Sequence, residues 1–169
     1  MKRMTTTITI LLLAACLKAP PFFSREELLS STLSWWEQRE AEIRREQRID
    51  NILLAIRTIE SEGDYHAKGR SGEYGAYQWM PESFAQFSYR YFGEILDITL
   101  PENQDKVARK KVEELIDAGL SEKDIAAVWN SGSHLGWENK IGVNKFGVRY
   151  NVPRYVNKFI RVLNQIETT

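Results

Sequence analysis

The stretch from Ile49 to Pro81, IDNILLAIRTIESEGDYHAKGRSGEYGAYQWMP, decides how the rest of the chain is read. Ile49, Ile52, Leu53, Ile56 and Ile59 recur at three- and four-residue spacing, which buries one face of a helix. Asp50 either caps that helix or lies inside one that continues from upstream, and Gly63 is expected to end it. Glu60 and Ser61 fall in its last turn. Gly69, Gly72 and Gly75 then mark a loop, and Pro81 opens the next helix near its first turn.

Glu60 sits beside Ile56 and Ile59. Burial there favours the protonated carboxyl, and the negative end of the helix dipole pushes the same way. An acid of that kind can protonate a glycosidic oxygen at neutral pH. The turn that follows, Gly75-Ala76-Tyr77-Gln78-Trp79-Met80-Pro81, carries an amide for an acetamido group and two rings with flat faces for sugars. Alternate residues on an irregular turn face different ways, so either Tyr77 or Trp79 is expected in the core. Taken alone, Glu60 reads more readily as an exposed helix-end carboxylate. The segments downstream bear on that choice.

Outward from this stretch the pattern stays helical. Pro101 to Ala118 carries Val107, Ala108, Val112, Leu115 and Ile116 inward, with Gly119 at its end. Ser121 and Asp124 form a capping box for a helix running to about Asn130. Residues 131–152 hold four glycines and no clear period, which suggests a long loop beside the cleft. Pro153 starts a final helix with Tyr155, Val156, Phe159, Val162, Leu163 and Ile166 inward. Upstream, Ser24 and Glu27 form another capping box, and Glu37 to Arg48 is nearly all charged or amide. Glu40 with Arg44 and Glu42 with Arg45 fall at helical neighbour spacings, as on a solvated surface helix. Its apolar seam is too thin for a coiled coil. No strand pattern competes, so the expected class is all-α.

Composition adds bounds. The 169 residues carry 23 Lys+Arg against 23 Asp+Glu. With no basic excess, nucleic acid is not an expected partner. At the amino terminus Lys2 and Arg3 precede a short apolar run, Ile8 to Ala15, too short to span a bilayer as a helix. Leu13-Ala14-Ala15-Cys16 resembles the lipobox of bacterial lipoproteins, with residues 1–15 as signal peptide and Cys16 as the lipidation site. An ordinary signal peptide is the alternative, and export follows from either. Residues 16–48 then read as a tether and charged helix, and residues 49–167 as the catalytic domain. His66 and His134 lack metal-ligand spacing and no second cysteine exists, so no metal or other cofactor is expected.

In combination, Glu60-Ser61, the Gly75 to Pro81 turn, Val128-Trp129-Asn130-Ser131-Gly132 and Pro153-Arg154-Tyr155-Val156 resemble the soluble, goose-type-lysozyme-like lytic transglycosylases. These enzymes cut the glycan strands of peptidoglycan. The resemblance, covering roughly Ile49 to Ile166, implies a lysozyme-like helical domain with Glu60 as its single acid/base. It implies that Gln78 and Asn130 contact the substrate and that Met80 packs beside the site. Tyr155 matches a late tyrosine near the catalytic glutamate. Ser61, Tyr77 and Trp129 complete the expected substrate-binding set. Trp129 stands where the family commonly has tyrosine, so a ring face is kept and a phenol lost. Asn130 could also serve as a helix C-cap.

The implied reaction consumes no water: the muramic C6 hydroxyl attacks the anomeric carbon and leaves a 1,6-anhydro end. A hydrolytic glycosidase instead needs two carboxylates. Glu62 is a poor second one, because two adjacent-but-one helical positions point to different sides. Glu73, in the loop, could reach the cleft and keeps a lysozyme reading open. A non-catalytic glycan-binding lipoprotein is the third possibility. The expected partners are peptidoglycan glycan strands and, through the lipid, a bacterial membrane facing the cell wall.

Overall fold

The computed structural model describes residues 24–143, 147 and 149–168. The expected signal peptide, Cys16 and the tether up to residue 23 lie outside them. The described residues form two compact units, one up to Glu46 and one from Gln47 onward.

Helix α1 spans Arg25–Ser61. Its start is the expected capping box: Ser24 N donates to Glu27 Oε2 at 2.8 Å, and Glu27 N donates to Ser24 Oγ at 3.2 Å. Each contact satisfies a backbone group that the first helical turn leaves orphaned. Within the first unit, residues 37–44 are exposed and carry the Arg39–Glu42 and Glu40–Arg44 pairs at 2.5 and 3.3 Å. Asp50 caps nothing at a helix start, because α1 runs through it.

The second unit is held by four further helices among the described residues: α2 (Pro81–Phe92), α3 (Pro101–Asp117), α4 (Glu122–Ser131) and α5 (Val152–Glu167). The apolar stripe read from α1 is the centre of the core, with Ile49, Ile52 and Ile56 fully buried. Phe84 of α2, Val107 and Val112 of α3, Ile125 of α4, and Val156 and Phe159 of α5 meet it in one cluster. Each such side chain contributes about 1.5–3 kcal/mol relative to exposure. Ser121 caps α4 by accepting from Asp124 N, and Asn151 caps α5 by accepting from Arg154 N.

Two expectations are corrected. The helix α1 ends one residue earlier than a Gly63 stop implies. Glu62 takes the left-handed conformation (φ 58) with Gly63 following it, while Gly63 N reaches back to Arg57 O at 3.0 Å. Glu62 N donates to Thr58 O at 3.3 Å, the single bond of an αL closure, with a non-glycine residue in the strained position. Glu62 is therefore not a helical residue at all. The segment 131–152 is not wholly loop. A 3-10 turn at Trp137–Asn139 leads into strands β1 (Ile141–Val143) and β2 (Arg149–Asn151), paired antiparallel with Gly142 opposite Tyr150. Three-residue strands are too short to show an alternation in sequence.

Candidate active site

The turn from Tyr74 to Trp79 is a tight hairpin. Tyr74 N donates to Trp79 O at 2.8 Å, and Trp79 N returns to Tyr74 O at 3.0 Å. Gly75 (φ +82) and Gln78 (φ 48) supply the left-handed backbone that closes it. Gln78 stays in that disfavoured region with its Nε2 donating to Gly75 O at 2.9 Å. Gly75 is required for a second reason: a Cβ there would lie 2.6 Å from Gln104 Nε2. Gln104, fully buried on α3, fastens the turn from behind. Its Oε1 accepts from Ala76 N at 2.8 Å, while its Nε2 donates to Tyr65 O and Ile98 O at 2.9 and 2.8 Å.

Ser61, expected to bind substrate, has a different task. Its hydroxyl donates to Ala76 O at 2.9 Å, tying the end of α1 to the hairpin, and it is not among the cleft-lining residues. The expectation that one of Tyr77 and Trp79 is core also changes, since both are buried. Tyr77 donates its hydroxyl to Asp105 Oδ1 at 2.7 Å, so that hydroxyl is committed to the protein. Tyr65 donates to the same carboxylate at 2.9 Å. Burial, then the bond to Asp105, pushes the Tyr77 phenol well above its ordinary range. The Trp79 indole Nε1 is buried with no hydrogen-bond partner among the described residues.

These elements surround a cleft of about 650 Å³. Glu60, Glu73, Tyr77, Gln78, Trp79 and Met80 line it from the end of α1 and the hairpin region, and Trp129 and Asn130 from α4. Trp129 lies 4.9 Å from Trp79 and 6.0 Å from Tyr77, centroid to centroid, so three rings form a continuous wall. Asn130 is exposed on the cleft and does not cap α4. Gly132, at φ 77, holds that position.

Tyr155 approaches from α5 and donates its hydroxyl to Glu60 Oε1 at 2.7 Å. Burial, the largest influence, raises the Glu60 carboxyl from 4.5 to about 7. The Tyr155 bond and the Lys158 ammonium pull it down, and the Glu73 charge pushes it up. Lys158 is itself placed by a 3.3 Å hydrogen bond to Ile59 O. Tyr155 is raised well above 10 by burial and by Glu60, so it stays a donor. Glu73 has one oxygen occupied, accepting from Ser71 N at 2.8 Å.

Seven residues of the lining had no site role in the sequence reading: Gly69, Arg70, Ser83, Phe87, Lys111, Val128 and Gly132. Gln104 had none either. The signal for two of them was present, because Gln104 and Lys111 lie on the same helical stripe as Val107 and Val112. Among the described residues no group of three His, Cys, Asp or Glu is arranged to hold a metal ion.

The chain matches the Transglycosylase SLT domain over residues 38–146, more than half of its 169 residues. It belongs to that family, and peptidoglycan glycan is the substrate class that membership implies. The match begins upstream of Ile49, inside the charged part of α1, and ends before α5. No curated protein matches the chain.

Proposed function

We propose that the protein is a lytic transglycosylase that cleaves the MurNAc–GlcNAc bond with Glu60 as its single acid/base. The observation carrying this is a carboxyl held near pKa 7 beside a phenol donor, facing a cleft walled by aromatic rings. At neutral pH a large share of Glu60 is protonated and can give its proton to the glycosidic oxygen as the C1–O bond breaks. The carboxylate left behind accepts the Tyr155 hydrogen bond and takes the proton of the muramic C6 hydroxyl. That oxygen then bonds to C1, closing the 1,6-anhydro ring without consuming water. Gln78 and Asn130 would contact acetamido groups, with Trp129 against a sugar face, Trp79 packed behind it and Met80 at the margin.

Glu60→Gln removes the transferable proton in a near-isosteric change. Turnover of purified peptidoglycan should fall by about 10²–10⁴-fold or more while the glycan still binds. Retained turnover within a few-fold would remove Glu60 from the mechanism.

One observation favours a second reading. Glu73 lines the same cleft as Glu60 and its charge is felt there. A carboxylate so placed could orient a water, which would make the enzyme a hydrolytic lysozyme. Mass analysis separates the two, since anhydro products are one water lighter than reducing-end products.

Lipid anchoring at Cys16 completes the proposal and rests on Leu13-Ala14-Ala15-Cys16 alone. Cys16→Ser should move the protein out of the membrane fraction. An unchanged fraction, with no lipid mass on the wild-type amino terminus, would refute it.

A further inference from the structure

We infer, resting on the transglycosylase function proposed above, that Lys111 forms a subsite for a carboxylate of the substrate at the Phe87 end of the aromatic wall. Lys111 lines the cleft from α3, with its Nζ 3.8 Å from the Phe87 ring centroid. Phe87 continues the wall: its ring lies 5.8 Å from Trp79, which in turn lies 4.9 Å from Trp129. Among the described residues Lys111 has this ring contact and no ion pair. Glu114 is the carboxylate whose field reaches it, and both of its oxygens are already engaged, one by Arg90 and one by the Tyr91 hydroxyl.

A partly buried ammonium with only a ring face for company is poorly solvated. Burial accordingly brings it down to about 8, still mostly charged at neutral pH. The sugar backbone that the wall would stack on offers nothing to pair with it, since hydroxyls and acetamides are neutral. The anionic groups of peptidoglycan hang from the lactyl ether of muramic acid. They are carboxylates of the peptide stem or, where the stem is absent, the lactyl carboxylate itself. Either would exchange water for a desolvated cation, the situation in which a charge-assisted hydrogen bond is strongest. Arg70, the other cation lining the cleft, is exposed on the loop, where an ion pair contributes little.

The test is binding by the full chain in a Glu60→Gln background, which blocks turnover. Three tetrasaccharide probes are compared: peptide-bearing GlcNAc–MurNAc oligomer, the same oligomer stripped of peptide, and neutral chitotetraose. Lys111→Met keeps the chain length and the packing on Phe87. It should weaken one or both anionic probes roughly ten- to a hundredfold, with chitotetraose held within about twofold and Lys111→Arg restoring the anionic affinity. Loss on the peptide-bearing probe alone identifies a stem carboxylate, and loss on the stripped probe alone identifies the lactyl group. Equal loss on all three probes, or none on any, overturns the inference. Independently of any variant at position 111, raising salt from about 0.05 M to about 0.5 M should weaken only the anionic probes. A salt response that persists unchanged in Lys111→Met overturns it as well. Activity surviving in Glu60→Gln would instead sink the underlying function, so the two failures are distinct.

Discussion

The phenol of Tyr155 and the carboxyl of Glu60 lie 95 positions apart in the chain and 2.7 Å apart in space. The phenol acts against burial: it stabilises the carboxylate, while desolvation favours the acid. Tyr155→Phe should therefore raise the Glu60 pKa above about 7 and move the alkaline limb of the kcat/KM profile to higher pH. Maximal turnover should fall by about tenfold, because the carboxyl loses the donor that orients it. A limb left in place by the substitution would show that Glu60 and Tyr155 are not coupled in solution.

Glu60 also sets a dependence of stability on pH. Its folded-state pKa is raised from 4.5 to about 7, so the folded protein binds this proton more tightly than the unfolded chain does. The resulting stabilisation is full below 4.5 and is lost as pH rises through 7. The gap corresponds to at most roughly 3 kcal/mol. Relative to wild type, Glu60→Gln should gain several degrees of Tm on going from about pH 5 to about pH 8. A difference in Tm that stays flat across this range would mean that the carboxyl is not desolvated.

Glu73 acts on Glu60 through its charge. Glu73→Gln should lower the Glu60 pKa and pull the alkaline limb downward. If water is not the nucleophile, the products remain anhydro-ended and turnover at about pH 6 changes by no more than a few-fold. Reducing-end products in wild type, with a collapse of activity in Glu73→Gln, would assign the enzyme to hydrolysis.

Gln104 is a structural test. Gln104→Ala opens a cavity and leaves Ala76 N and the carbonyls of Tyr65 and Ile98 without their partner. Chemical denaturation should show a loss of about 2–4 kcal/mol. Loss below about 0.5 kcal/mol would mean that water replaces the amide at little cost.

The helices were legible because their caps and stripes are local. Ser24 with Glu27 and Ser121 with Asp124 specify their own hydrogen bonds within three residues. The stripe Ile49, Ile52, Ile56 needs only a partner surface, whichever it is. Glu60, Gln78, Trp129 and Tyr155 were legible through the order of the motifs that carry them. Gln104 and Lys111 were legible only as members of the inward stripe of α3, because a polar residue there looks like its margin until the groups facing it are known. The tie that Ser61 makes to the hairpin was hidden for the same reason. The partner of Ser61, Ala76 O, is a backbone atom 15 residues away that no side-chain pattern announces. The hairpin at 141–151 was hidden by strands of three residues each.

The grip of Gln104 on three separate backbone segments limits how this cleft can be re-engineered. The hairpin at 74–79 looks like a cassette, short and bounded by glycine and proline. It is one half of a two-part fitting whose other half is a side chain 28 residues downstream of Ala76. A graft of this hairpin into another helical scaffold succeeds only if the acceptor supplies an amide at that place and leaves room for it opposite a glycine. The transferable unit is therefore the hairpin together with α3, and a library that varies one without the other samples mostly broken cradles.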